Sequence, residues 1–237
     1  MPDTKTAQTM PAIAPAIAID GHSASGKGTL ARRLGGRLGF AVLDTGKLYR
    51  LIGMMAHDQN IATDDEDALA HIATRLNDTL RLDQLADPAL GSDMAGKLAS
   101  RTSKFPKVRA ALVQFQRDFA ANPPALADGT AAKGVILDGR DIGTVILPDA
   151  PVKFFVTASA DVRAERRFAE LKDSDPDLTY EQVYLDMAQR DERDQKRAAS
   201  PLVAAADAVT IDTSDMTADE VETLALRHID QKRILSA

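Results

Sequence analysis

The stretch GHSASGKGT, residues 21–29, follows the apolar run AIAID and leads into LARRLGGRL, which is spaced like a helix. It has almost no bulk: three glycines and one lysine sit among small side chains. Between a strand and a helix, such residues let consecutive backbone N–H groups turn inward around phosphate oxygens, and the helix adds its positive N-terminal end. A bulky side chain would block the phosphate. The stretch therefore reads as a nucleotide-binding loop made of Gly21, His22, Ser23, Ala24, Ser25, Gly26, Lys27, Gly28 and Thr29, with Lys27 reaching the β- and γ-phosphates. The hydroxyls of Thr29 and Ser25 fall near the place of a magnesium ion. The strict form of this loop has Ser or Thr directly after the lysine, but Gly28 intervenes here, which leaves open whether Thr29 meets the metal directly or through water.

Outward from the loop, β-rich runs recur as AIAID (16–20), FAVLD (40–44), GVILDG (134–139), VKFFVTAS (152–159) and DAVTIDT (207–213), separated by longer helical stretches. This alternation predicts an α/β fold with a parallel sheet covered by helices on both faces. Between Tyr49 and about Asn122 the strand pattern is interrupted by a polar, mostly helical segment, read as a small inserted domain or lobe. Within it, LRLDQLADPALGSDMAGK (80–97) has too weak a period to assign. Three helix starts carry a threonine followed three residues later by Glu or Gln: Thr63 with Glu66, Thr179 with Gln182, and Thr217 with Glu220. Residues 1–15 mix threonine, alanine and proline without a period and read as a flexible N-terminal extension.

Composition narrows the chemistry. The 237 residues include no cysteine, and the four histidines are far apart, which excludes disulfides, thiolate catalysis and cysteine-ligated zinc. A formal net charge of −6 argues against a broad nucleic-acid surface, so basic chemistry must be concentrated in a cleft. No run approaches the roughly 18 apolar residues of a membrane span, and no secretory signal pattern stands at the start, so the expected address is cytoplasmic.

Two further clusters point to such a cleft. In DGRDIGTVILPDAPVKFFVTAS, Asp138, Arg140 and Asp141 follow an apolar strand, where ligands of open parallel sheets bind. Asp138 is placed to orient magnesium or its water, with Arg140 and Asp141 facing a second ligand; the plain alternative is a turn with a local ion pair. In TYEQVYLDMAQRDERDQKRAASPL, a stripe of Val183 and Met187 continues at helical spacing through Arg190, Asp194 and Arg197. A face that starts in the core ends in charge, and guanidinium groups there suit phosphate oxygens. A solvated helix with ion pairs between turns fits the same letters.

Together, IDGHSASGKGT, LDTGKLYR, FPKVR, DGRDIGTVILPDAPVKFFVTAS and QRDERDQKRAASPLVAAADAVTIDT, in this order from about Ala16 onward, resemble the bacterial cytidylate kinases of the nucleoside monophosphate kinase group. The resemblance implies a three-layer P-loop kinase fold with a five-stranded parallel sheet. It divides residues 16–237 into a kinase domain with an inserted monophosphate-binding region at about 50–110 and a lid at about 160–198. It implies transfer from ATP, with magnesium, to CMP or dCMP, by a monomer. Thr45, Arg50, Ser100, Arg109, Arg140, Asp141, Arg190, Asp194 and Arg197 match positions contacting the acceptor, and Lys27, Arg140, Arg190 and Arg197 are the expected catalytic set. Arg163, Arg166 and Arg167 resemble lid arginines, although an amphipathic helix explains them nearly as well. Lys47, where the family generally has a small or apolar residue, and the short inserted region depart from the pattern on the acceptor side. A kinase for another small acceptor, or a non-catalytic nucleotide-binding module, shares the loop, although the module needs no acceptor-side arginines.

Overall fold

The computed structural model describes residues 15–173, 175–197 and 200–232. The five β-rich runs form one parallel sheet: β1 (Ala16–Gly21), β2 (Ala41–Asp44), β3 (Val135–Gly139), β4 (Val152–Thr157) and β5 (Val209–Asp212), in the order β2-β3-β1-β4-β5. From central β1 the chain fills one side with β2 and β3, then crosses to the other with β4 and β5. That reversal opens a crevice at the carboxyl ends of β1 and its neighbours. The expected extension over residues 1–15 lies outside the described residues except for Pro15, whose carbonyl accepts from Val135 N.

Alternation along the strands sends side chains to two faces. On one, Ile17, Ile19 and Phe154 pack with Leu30 and Leu34 of α1 (Lys27–Leu38) and Val221 and Ile229 of α8 (Ala218–Gln231). On the other, Ala16, Ala18 and Leu137 meet α2 (Thr45–Asp58), α3 (Glu66–Thr79) and α5 (Pro106–Ala121) through Leu48, Ile52, Leu69 and Leu112. α4 (Asp93–Thr102) lies close on α2, where a Cβ at Gly53 would come 2.6 Å from the Leu98 Cβ. The helical interruption thus shares the core of the sheet.

α6 (Ala160–Leu171) and α7 (Tyr180–Gln195) form a hairpin with its own small cluster of Ala164, Val183 and Met187. The stripe read through Arg197 therefore outruns its helix by two residues. Residues 80–97 contain two 3-10 turns, Leu82–Ala86 and Pro88–Gly91, before α4 begins. Their three-residue period and the proline explain why no α-helical spacing was legible there.

Of the three predicted helix starts, Thr179 and Thr217 cap as expected, each accepting from the backbone N–H three residues on. Thr63 does not cap its helix. Asp65 holds that place, accepting from Ala68 N at 3.0 Å, while Glu66 accepts from Lys107 N on α5 at 2.9 Å. A nearer carboxylate wins the cap, and the glutamate serves tertiary packing.

Candidate active site

Three adjacent strands carry an aspartate at or next to their carboxyl ends: Asp44 on β2, Asp138 on β3 and Asp20 on β1. Asp44 and Asp138 are direct register partners. Between β1 and α1 runs the glycine-rich loop, with Ala24 at φ 57 and Gly26 at φ 88 in the left-handed region. Glycine pays no steric cost there, and as the N-cap of α1 it leaves the helix's first N–H groups uncovered by any side chain.

Lys27 opens α1 and places its Nζ 3.7 Å from Asp138 Oδ1. Burial pushes Lys27 below the ordinary lysine range, and Asp138 pulls it partly back. Burial likewise raises Asp138 to about 6 against the pull of Lys27, with Asp44 adding to the rise. A Cβ at Gly28 would sit 3.1 Å from Asp138 Oδ2, so the residue that departs from the strict loop is the one lying against this carboxylate.

The loop residues split between surroundings. Ser25 is fully buried, its carbonyl accepting from Thr213 Oγ1 at 3.0 Å and its own Oγ without a partner among the described residues. Thr29 is exposed, accepts from Arg32 Nη2 at 3.3 Å and faces a cavity of about 430 Å³ with Gly26, Arg166, Thr213 and Met216. Asp138 does not border that cavity. His22 packs edge-on against Phe155, ring centroids 6.0 Å apart, and lies 3.5 Å from Gln195 of α7.

A second cavity, of about 100 Å³, gathers every acceptor-side residue except Ser100: Thr45, Arg50, Arg109, Arg140, Asp141, Arg190, Asp194 and Arg197, with Ser23 and Lys27 of the loop and Asp44, Tyr49 and Asp138. Thr45 Oγ1 donates to Asp138 O at 2.8 Å, and Arg50 donates to Leu90 O in the second 3-10 turn. Arg109 pairs with Asp141, donates to Ser103 O at 3.2 Å, and lies 5.4 Å from the Tyr49 ring centroid. Asp194 holds Arg140 at 3.0 Å and Arg197 at 3.1 Å. Burial opposes the Asp194 charge, but Arg140, Arg190 and Arg197 outweigh it and keep the carboxyl below its usual range. Arg190 fares the opposite way: burial first, then Arg140, pushes it down to about 9 although Asp194 pulls upward, and its Nε has no partner among the described residues. Six cationic side chains face four carboxylates here, so the pocket is matched to an added anion.

Ser100 is not in this group. It lines an adjoining cavity of about 70 Å³ between α4 and the α6–α7 hairpin, with Gly96, Arg167 and Met187, sharing only Ser23 and Arg190 with the arginine-rich pocket. The three arginines of α6 also separate. Arg163 pairs with Asp191 at 2.7 Å within the hairpin, Arg166 donates to Thr213 Oγ1 and O at 2.9 and 2.8 Å beside the larger cavity, and Arg167 comes within 3.6 Å of a Cβ built on Gly96. Lys47 turns away from the pocket and donates to Leu85 O at 2.6 Å, bordering a cleft of about 380 Å³ at the β2 edge. Asp20, Asp44 and Tyr49 were missed in the sequence. The first two had a signal, since AIAID and AVLD end in aspartate as VILD (135–138) does.

A family model described as Cytidylate kinase matches residues 17–231. The chain is 51% identical over 210 residues to the cytidylate kinase of Rhodospirillum rubrum, covering 89% of this chain and 94% of that one. It is 51% identical over 217 residues to that of Paramagnetospirillum magneticum, covering 92% and 98%. For Azorhizobium caulinodans the values are 49% over 217 residues, again 92% and 98%.

Proposed function

Because the chain belongs to the cytidylate kinase family, we propose that it transfers the γ-phosphoryl group of ATP to CMP or dCMP, giving ADP and the nucleoside diphosphate. The observation that carries this reading beyond the name is the arginine-rich pocket beside Lys27, which has more cation than its own carboxylates neutralise. A non-catalytic nucleotide switch has no use for Arg50, Arg109, Arg140, Arg190 and Arg197 gathered in one pocket.

In this reading the loop from Gly21 to Thr29 cradles the donor phosphates, and the larger cavity with Thr29, Arg166 and Thr213 takes the rest of the donor. The smaller pocket takes the acceptor. Its phosphate meets Thr45, Arg50, Arg140 and Arg197, its ribose Asp194 and Arg190, and its base Arg109 and Asp141, with Ser100 approached from the neighbouring cavity. A phosphate monoester has its second pKa near 6, so at neutral pH it is mostly dianionic and attacks in line without a general base. Catalysis then consists of holding two polyanions together and stabilising charge on the transferring group through Lys27, Arg140, Arg190 and Arg197.

The chain also suits magnesium. Asp138 is buried with its Oδ1 unpartnered by hydrogen bonds, and Asp44 faces it in register. Among the described residues no three His, Cys, Asp or Glu side chains converge, so the ion takes most of its ligands from nucleotide and water. Bound there, it neutralises phosphate charge. Residues at about 50–110 serve as the monophosphate-binding region and those at about 160–198 as the lid. The enzyme acts as a monomer, a reading supported by how few large apolar side chains are exposed among the described residues: Leu82, Met94, Leu185, Val203 and Leu224. No helix among the described residues is long and apolar enough to cross a membrane, which fits a cytoplasmic site of action.

The test is ADP release with ATP and magnesium against CMP, dCMP, UMP, AMP, dTMP and shikimate separately. Turnover with CMP and dCMP is the expected result. Turnover with another acceptor only would overturn the base assignment, and turnover with none would overturn the activity. Lys27→Ala is expected to lower kcat at least about tenfold in the same assay.

A further inference from the structure

Asp20 is 3% exposed, on the central strand, one residue before the phosphate loop. It shares the sheet face of Ala16 and Ala18, beneath the turn that follows Asp141. Each of its oxygens has one backbone partner: Oδ1 accepts from Ile142 N and Oδ2 from Gly143 N, both at 2.7 Å. These two N–H groups begin the π-helical turn Ile142–Ile146, whose N-cap is Asp141. The Asp141 side chain does not cap that turn, because it is paired with Arg109. A helix start has free N–H groups that need acceptors, and a carboxylate on another strand supplies both.

The charge is costly here. Burial raises the Asp20 carboxyl to about 6 despite both hydrogen bonds, and Asp141 and Asp138 add to the rise. An apolar residue on this face would pack without that cost, as Ala16 and Ala18 do. What the carboxylate secures is the position of the turn, and with it the two residues just before it. Arg140 runs from there to Asp194, and Asp141 to Arg109.

We propose that Asp20 is a positioning residue for the acceptor nucleotide, fixing Arg140 and Asp141 through the backbone of Ile142 and Gly143 while its own strand leads into the donor loop. The proposal rests on the kinase reading above and adds to it a residue that acts on the acceptor side alone, through the backbone of the turn. Only a carboxylate fits the role. Asparagine has the same shape but one accepting oxygen, and its NH2 group would face a backbone N–H donor.

The experiment compares Asp20→Asn with the parent protein. Dissociation constants for CMP and for a non-hydrolysable ATP analogue are measured by calorimetry, together with KM and kcat and the melting temperature. The expected result is CMP affinity weakened by about tenfold with KM for CMP rising in step, and ATP-analogue affinity changed by less than about twofold. Unchanged CMP affinity would overturn the proposal. So would equal weakening of both ligands, since damage passed to the adjacent loop, or a general loosening of the fold, would not spare the donor. Asp20→Ala provides a second reading: it leaves both N–H groups without an acceptor, so the same selective loss must be at least as large. If the parent itself bound no CMP, the kinase reading would fall, a result distinct from a parent that binds CMP and a variant that binds it equally well.

Discussion

The helices on the two sides of the cleft rest on unequal amounts of apolar surface. α2, α3 and α5 share one cluster with the sheet, in which Leu48, Ile52, Leu69 and Leu112 are fully buried. The only apolar residues that the α6–α7 hairpin buries are Ala164, Leu171, Val183 and Met187, with Phe168, Tyr180 and Tyr184 packed partly buried beside them, and ion pairs tie it in place: Arg163 to Asp191 inside it, Arg140 to Asp194 across the cleft, and Lys97 of α4 to Asp186 at 3.0 Å. Exposed ion pairs such as Lys97–Asp186 contribute little and exchange readily with water. One side rests on a broad core shared with the sheet and the other on a small cluster of its own, the kind of contrast from which closing elements of enzymes are drawn.

The contrast is open to attack at several points. The largest effect belongs to the broad core: Leu112→Ala is expected to cost about 3 kcal/mol and lower the melting temperature by several degrees in calorimetry, with a single transition. Arg190→Ala on the hairpin is expected to lower kcat about a hundredfold while leaving the melting temperature no lower than in the parent, because burial already works against that charge. A melting temperature that fell as far as for Leu112→Ala would make the hairpin part of that core. Met187→Ala comes next: hydrogen exchange of α6–α7 amides is expected to accelerate, with less than half the global loss of Leu112→Ala.

The smallest effect is electrostatic. Between the ordinary aspartate value and about 6, the folded chain holds a proton on Asp138 that the unfolded chain has released, so this group removes stability as pH rises through that window. Asp138→Asn is therefore expected to lose less melting temperature between pH 5 and 7 than the parent. An equal loss would place the cost elsewhere.

The sheet could be read from the sequence because each strand is a short, mostly apolar run, four of the five closed by Asp or Gly, and buried parallel strands need little else. Thr179 and Thr217 were readable because a cap is local. Thr63 failed because Asp65 is a competitor two residues away, and Glu66 went to Lys107, 41 residues distant on another helix, which no local pattern records. At the site, Lys27, Arg140 and Asp138 stand at strand and helix ends and were legible for that reason. The separation of Arg163, Arg166 and Arg167 was not, since one helix with three neighbours turns them to different partners. Ser100 was assigned by resemblance, and its place between α4 and the hairpin depends on how the two are packed.

Arg140 and Arg197 already share Asp194, and Arg109 already holds Asp141. In chromatographic terms the cleft is an exchanger loaded with its own counter-ions. On the reading proposed above, an incoming phosphate trades places with Asp194 at Arg140 and Arg197 instead of stripping water from bare guanidinium groups. Such a column retains dianions and lets weaker anions pass, so the chain's own aspartates set the threshold that a ligand must exceed.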